Sequence, residues 1–343
     1  MQKTITIAVD AMGGDNAPKE IIKGAVLAVQ EKRNIKVILV GKEAVIRNEL
    51  GGYEYDKERI VIINAEENIT NNESPVMAIR RKKNSSIVVA LNLVKNGEAD
   101  AFVSAGSTGA VLAGGQLIIG RIKGVERPPL APIIPTIAGA SLLIDCGANV
   151  DARPSHLVQF AKMGSIYMEN VVGVKNPRVA IVNIGAEEEK GNNLVKETFP
   201  LLKNSTDINF IGSIEARDIP YGAADVIVCE AFVGNVILKL YEGLGSALID
   251  KIKEGLMSTT KSKIGALLSK SALKNTLKAF DYSQYGGAPL LGLKGLVVKT
   301  HGNSKSNEIR NSILQCVAFS ENKINEKIED NLKDYENNIK KGE

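Results

Sequence analysis

Three polar, glycine-containing runs follow apolar runs that read as β-strands, and each carries residues able to hold a ligand. Asp10–Ala11–Met12–Gly13–Gly14–Asp15 follows Ile5 to Val9, Ser104–Ala105–Gly106–Ser107–Thr108–Gly109 closes Ala101 to Ser104, and Asp145–Cys146–Gly147–Ala148–Asn149 follows Ser141 to Ile144. Ligands of open α/β sheets bind at such strand ends. Asp10, Gly13, Gly14, Asp15, Ser104, Gly106, Ser107, Thr108 and Asn149 are therefore candidate substrate- or phosphate-binding residues. The Gly106–Gly109 turn, opening a helix, would offer unpaired amides, two hydroxyls and the positive end of a helix dipole, which suits a phosphate or carboxylate. The same residues would equally make a tight turn with a hydroxyl N-cap, and both readings stand.

Two further residues sit at strand-to-helix junctions. Lys190, in Glu187–Glu188–Glu189–Lys190–Gly191–Asn192, is either a surface lysine paired with acidic neighbours or a cation for a ligand. Asn235, in Ala231–Phe232–Val233–Gly234–Asn235, is either a helix N-cap or a donor to a substrate carbonyl. A lysine, an amide and an anion-binding turn together would suit acyl transfer to an anionic acceptor, donors holding the oxyanion while the cation offsets charge. Neither G-x-G-x-x-G nor G-x-x-x-x-G-K-[ST] follows any expected strand, which weakens dinucleotide and nucleotide-hydrolase readings. No G-x-S-x-G elbow occurs. His156 and His301 have no second His or Cys at ligand spacing, so neither metal nor cofactor is expected.

Further apolar runs at Val37 to Val40, Ile60 to Ile63, Val179 to Asn183, Ile208 to Ile211, Val226 to Cys229 and Leu296 to Val298 alternate with helical stretches such as Pro18 to Lys32 and Pro154 to Val172. Strands apolar throughout argue that both sheet faces are covered. The expected fold is α/β: a doubly wound, Rossmann-like, mostly parallel sheet with helices on both faces, in one catalytic domain over 1–343. A basic amphipathic helical hairpin over 250–285 protrudes from it, and a C-terminal helix spans 318–343, with Ile324, Ile328, Leu332, Tyr335 and Ile339 along one face.

The chain has 43 basic and 39 acidic side chains for a net charge of +4, and 44% hydrophobic residues, enough for a continuous core. That charge is too small for a general polyanion binder, and no nucleic-acid partner is expected. It is unevenly placed: Lys251 to Phe280 holds seven lysines against one acid, 7 − 1 = +6, leaving −2 elsewhere. Ile264, Leu267 and Leu268 lie at helical spacing among Lys261, Lys263 and Lys270, with Leu273, Leu277 and Phe280 as a second stripe. Such a pair packs on the body or at a dimer interface, or meets anionic lipid. Arg80–Arg81–Lys82–Lys83 is either a solvated helix face or a dock for an acidic partner. Three dispersed cysteines and a strand-like N-terminus without signal-peptide features fit a reducing cytoplasm. No uninterrupted apolar run approaches the roughly 18 residues of a membrane span.

Ile7–Ala8–Val9–Asp10–Ala11–Met12–Gly13–Gly14–Asp15, followed by Ala17–Pro18, closely resembles the opening of bacterial phosphate acyltransferases, the acyl-carrier-protein:phosphate transacylases of phospholipid synthesis. Ala78 to Lys83, Ser104 to Ala110, Asp145 to Asp151, Asn183 to Asn192, Phe210 to Arg217, Ala231 to Asn235 and Tyr285 to Leu290 look like that family's motifs, in order along nearly the whole chain. The resemblance implies transfer of a long-chain acyl group from the thioester of acyl carrier protein to inorganic phosphate. The acyl phosphate formed would feed phosphatidic acid synthesis through a downstream glycerol-3-phosphate acyltransferase. It implies catalytic roles for Lys190 and Asn235, carrier docking at Arg80, Arg81, Lys82 and Lys83, a homodimer, and a cytoplasmic enzyme attached peripherally to anionic membrane, with the lysine-rich hairpin as contact. Three positions depart from the family pattern: Asn16 for a common histidine, Asn84 for aspartate and Asn303 for serine. Rival readings are a nicotinamide-dependent oxidoreductase of similar architecture and a non-catalytic acyl-carrier or lipid-surface adaptor.

Overall fold

Runs of β-branched and aliphatic residues become strands buried on both faces, and the helices between them cover those faces. The structure, a computed structural model, describes residues 3–278 and 282–342, with side chains for 3–276 and 284–333. Phe280 lies outside the described residues, as do the side chains of Leu277, Tyr335 and Ile339. The chain divides into two compact units, Met1–Pro132 with Lys162–Lys175 and Ser283–Glu343, and Ile133–Ala161 with Asn176–Tyr282.

The first unit holds β1 (Ile5–Asp10), β2 (Ile35–Gly41), β3 (Ile60–Asn64), β4 (Ala101–Ser104), β10 (Ala288–Leu290) and β11 (Leu296–Lys299), in the order β10-β11-β4-β1-β2-β3. Every pairing is parallel except β10 with β11. β4 and β11 are buried at every position and β1 at all but one. Helices α1 (Lys19–Glu31) and α11 (Ser306–Glu321) pack on each other and against the sheet, as do α4 (Ser86–Lys95) and α5 (Thr108–Gly114). The second unit orders β5 (Ile133–Thr136), β6 (Gly139–Ile144), β9 (Val226–Val228), β7 (Arg178–Val182) and β8 (Asn209–Ile214) as β5-β6-β9-β7-β8, antiparallel only at β5. Its core gathers Ile134, Leu143, Cys146, Ala180, Ile214, Ile227 and Cys229, onto which helix α8 (Ala231–Met257) packs Val233, Ile237, Leu238 and Tyr241.

The expected parallel strands are present within a residue or two, except that β8 runs three residues past its expected end, and the fold is α/β. The hairpin differs in extent. α8 runs unbroken to Met257 and is followed by α9 (Thr260–Leu268) and α10 (Lys270–Lys278), so the lysine-rich region is the end of one long helix and two short ones. Of α8 only Ala231 and Gly234 are buried, and of α9 nothing is. α8 is also the one helix among the described residues long and apolar enough to cross a membrane, its best 18-residue window having mean hydropathy 1.3. Reading for an uninterrupted apolar run missed this because Lys239 and Glu242 break the run, although they pair at 2.8 Å.

A buried polar network ties the edge strand of the first unit to its helices. Gln315 Nε2 donates to the Tyr167 hydroxyl (2.6 Å) and the Gly287 carbonyl (3.0 Å), and its Oε1 accepts the Gly287 amide (3.1 Å). Burial pushes the Tyr167 hydroxyl well above its ordinary pKa. Replacing Gln315 by Leu strands the Gly287 amide and carbonyl, so Gln315→Leu should destabilise the protein by about 1–3 kcal/mol in urea unfolding. A loss below about 0.5 kcal/mol would show that the network is dispensable.

Candidate active site

In the first unit the loops after β11, β4 and β1 leave three adjacent parallel strands at the same end of the sheet. Asp10 closes β1 with no exposed surface. Its Oδ1 accepts the Met12 amide (3.2 Å) and its Oδ2 the Ser104 hydroxyl (2.7 Å), while Ser104 Oγ accepts the Gly106 amide (2.9 Å). Burial pushes the Asp10 carboxyl above its ordinary pKa, against the pull of its hydroxyl and amide donors and of the Lys299 ammonium. A Cβ on Gly13 would overlap Asp10 Oδ2 and come within 2.8 Å of the Gly106 nitrogen, so only glycine lets the two loops close over the carboxylate. Ser107 is buried at the N-cap of α5 yet makes no capping bond. The N-cap alternative is thus not realised, and the first amides of this helix have no side chain to accept them. Thr108 is exposed, and Asp15 is exposed with its amide given to the Gly302 carbonyl (2.7 Å).

The second unit repeats this design. Asp145, with no exposed surface, follows β6 and accepts the amides of Ala148 (3.2 Å) and Asn149 (2.8 Å) and the Asn149 side chain (2.7 Å). Asn149 therefore shapes its own loop. After the neighbouring β9, Glu230 caps α8 by accepting the amides of Phe232 (2.6 Å) and Val233 (2.9 Å), which removes the N-cap reading of Asn235. Asn235 stands exposed on the first turns of α8. A Cβ on Gly234 would overlap the Asp145 carbonyl oxygen, so this glycine sets the approach of α8 to the Asp145 loop. Just after the third adjacent strand, β7, Asn183 Nδ2 donates to the Lys190 carbonyl (3.1 Å) and Ser213 Oγ (3.3 Å). Lys190, about half exposed, pairs with Glu187 at 2.8 Å, and that bond raises its pKa and lowers that of Glu187. The loops of Asp145, Asn235 and Lys190 thus come together at one sheet end.

A family model described as "Fatty acid synthesis protein" matches residues 5–327. A phosphate acyltransferase of Clostridium novyi (strain NT) is 53% identical over 326 residues, covering 95% of this chain and 98% of that protein. The chain belongs to the phosphate acyltransferase family. A phosphate acyltransferase of Clostridium acetobutylicum is 52% identical over 328 residues, covering 96% of this chain and 99% of its own. Among solved structures, a phosphotransacetylase from Streptococcus pyogenes matches with TM-score 0.65 at 17% identity, covering 93% of this chain and 95% of that one. The EutD phosphotransacetylase from Staphylococcus aureus matches with TM-score 0.62 at 18% identity, covering 92% and 94%. At those identities the likeness establishes the α/β fold. Membership of a phosphate acyltransferase family sets aside the oxidoreductase and adaptor readings.

Two of the three departures from the family pattern meet in this phosphate acyltransferase. Asn16 Nδ2 donates to the carbonyls of Asn303 (2.8 Å) and Ser304 (3.3 Å), and Asn303 Oδ1 lies 2.7 Å from His301 Nδ1. Asn16 therefore links the loop after β1 to the loop after β11. The Asn84 carbonyl accepts the Glu67 amide (3.1 Å), and the Asn84 amide donates to the Glu67 carboxylate (3.2 Å). In the basic run, only Arg80 and Arg81 lie on α3 (Pro75–Arg81), and Lys82 is engaged with Glu73 at 2.7 Å, which holds that carboxyl down to about 2. Arg80, Arg81 and Lys83 are exposed. Sequence reasoning missed Lys299; it is a polar residue closing an otherwise apolar strand, and that was the signal available.

Gly234→Ala should lower turnover at least about 100-fold and reduce stability by about 1–3 kcal/mol, because overpacking moves α8 off the Asp145 loop. Normal turnover and melting would show that α8 can shift without consequence.

Proposed function

We propose that this phosphate acyltransferase moves a long-chain acyl group from the thioester of acyl carrier protein to inorganic phosphate, supplying acyl phosphate for phosphatidic acid synthesis. A phosphate oxygen attacks the thioester carbonyl, the tetrahedral intermediate collapses with loss of the carrier thiolate, and the proton released by phosphate ends on that thiol. The observation that carries this reading is the Gly106–Ser107 turn, whose serine sits at a helix N-cap without capping and so leaves amides for an anion. Direct attack by phosphate also fits the cysteines. Cys146, Cys229 and Cys316 are free and buried, and burial pushes every thiol pKa up, the reverse of what a nucleophilic cysteine needs.

Roles follow unit by unit. Gly106, Ser107 and Thr108 hold phosphate, with Asp10, Gly13, Gly14, Asp15 and Ser104 shaping their turn. In the second unit Lys190 offsets the charge of an anionic substrate group and Asn235 donates to the thioester oxygen as it becomes an oxyanion, with Asn149 supporting the Asp145 loop. Arg80, Arg81 and Lys83, with Lys82, form the dock for the acidic carrier. Val236, Leu240, Leu244 and Leu248, all exposed at a spacing of four along α8, suit a homodimer seam. Exposed Ile264, Leu267 and Leu268, flanked by Lys261, Lys263 and Lys270, suit peripheral attachment of a cytoplasmic enzyme to anionic membrane. A downstream glycerol-3-phosphate acyltransferase would take the labile product.

The deciding assay follows free carrier thiol from palmitoyl-carrier protein with and without phosphate: release should require phosphate, and release without it would sink the transferase reading. Lys190→Ala and Asn235→Ala should each lower turnover by about 100- to 1,000-fold with unchanged melting, the usual scale for losing one oxyanion donor. Near-normal rates would remove them from the site. Leu267→Glu with Leu268→Glu should abolish sedimentation with anionic liposomes, and unchanged sedimentation would place the membrane contact elsewhere.

A further inference from the structure

Lys299 closes β11 and is buried, only 8% exposed. It stands opposite Ser104 in the parallel pairing of β11 with β4. Its Nζ donates to the carbonyl oxygens of Ala105 (3.4 Å) and Thr300. The Ala105 carbonyl belongs to the same peptide unit as the Gly106 amide, and that amide donates to Ser104 Oγ, which donates onward to Asp10. Both ends of one peptide dipole are therefore held, the oxygen by a buried cation and the N–H by a hydroxyl anchored on a buried carboxylate. A trans peptide is planar, so holding both ends fixes its rotation and with it the direction of the amides that follow. Gly106 has no side chain to restrict that rotation otherwise. Next to Lys299, the Thr300 hydroxyl is buried with no hydrogen-bond partner, a polar group that the protein leaves unsatisfied at this strand end.

We propose that Lys299 is a positioning residue of the phosphate-binding turn, locking the Ala105–Gly106 peptide so that the Ser107 and Thr108 amides present to the anion. The inference rests on the proposed function and deepens it. A neutral donor could satisfy two carbonyls, whereas a buried ammonium costs desolvation; attraction to the buried Asp10 carboxylate offsets part of that cost, and attraction to a bound anion adds to that offset. Its field acts on a nearby anion with less screening than that of a surface lysine.

The test is steady-state kinetics on the full-length enzyme with palmitoyl-carrier protein and inorganic phosphate. Lys299→Met should raise the KM for phosphate about tenfold or more, equivalent to about 1.4 kcal/mol, while the KM for the thioester stays within about twofold. Lys299→Arg, which keeps charge and donors, should recover much of that loss. Ser104→Ala frees the other end of the same peptide and should shift the same constant, and the double variant should lose less than the sum of the two. Equal phosphate KM in parent and Lys299→Met would overturn the proposal. Parallel loss in both KM values, with Arg no better than Met, would overturn it too by making Lys299 merely structural. Should Lys299→Met not fold, Ser104→Ala and Lys299→Arg decide, and an unchanged phosphate KM in Ser104→Ala overturns it. If the parent releases thiol without phosphate, the transfer reading fails, and calorimetric binding of inorganic phosphate to parent and Lys299→Met then tests the inference alone. Tenfold weaker binding supports it and equal binding overturns it.

Discussion

A carboxylate taken out of water must be hydrogen-bonded, and in this protein two of them, Asp10 and Asp145, sit fully buried at the ends of central parallel strands. The donors within reach are largely the amides and hydroxyls of the loops that begin there. Each loop is thereby drawn back over its own strand end: Met12, Ser104 and, through Ser104, Gly106 around Asp10; Ala148 and Asn149 around Asp145. Close approach then dictates glycine at Gly13 and Gly234, because any Cβ would occupy space held by Asp10 or by the Asp145 carbonyl. The glycine-rich motifs are a consequence of the buried carboxylates, and Thr108 and Asn235 beside them stay exposed.

Much of this was legible in the residues, and the parts that were not share a cause. Parallel strands buried on both faces announce themselves as apolar runs, and these, the end of β8 apart, were read within a residue or two. The missed strands, β5 and β10, are the two antiparallel edge strands, short and carrying Pro135 and Pro289, the residue least expected in a ladder. Lys299 was missed because the apolar run ends at Val298, while the ladder continues one residue further onto a lysine whose burial depends on Ala105 and Asp10, nearly two hundred and three hundred positions away. No local pattern encodes that. The start of the basic region at Lys251 was likewise a composition boundary and not a structural one, since α8 passes through it without a break.

The capping readings left open by the residues were settled by neighbours that local reading cannot weigh. Ser107 looks like an N-cap and stands in that position, but its hydroxyl makes no capping bond. Asn235 looks like an N-cap and is not one, because Glu230 lies five positions earlier and accepts two amides. Lys190 adds a backbone contact to the pairing expected of a surface lysine. Its side chain is paired with Glu187, as a surface lysine's would be, yet its backbone is clamped by Asn183, which itself bonds Ser213 on the next strand. A solvent-facing lysine needs no such clamp for its own stability, so the rigidity of its loop is the feature in need of a reason.

On the proposed reaction that reason is differential binding. Substrate phosphate and acyl-phosphate product both carry a phosphoryl group, so a cluster of strong cations would hold both and lower the ground state as much as the transition state. Backbone amides fixed in direction bind an anion with little reorganisation and with geometry as the selecting factor. On that reaction Lys190 exchanges Glu187 for an anionic substrate group and returns to it as product departs, at nearly constant charge. Lys299, buried and held by carbonyls, cannot make that exchange. One lysine is exposed beside a single carboxylate and the other is buried among carbonyls, and the difference lies in what surrounds them rather than in the side chain.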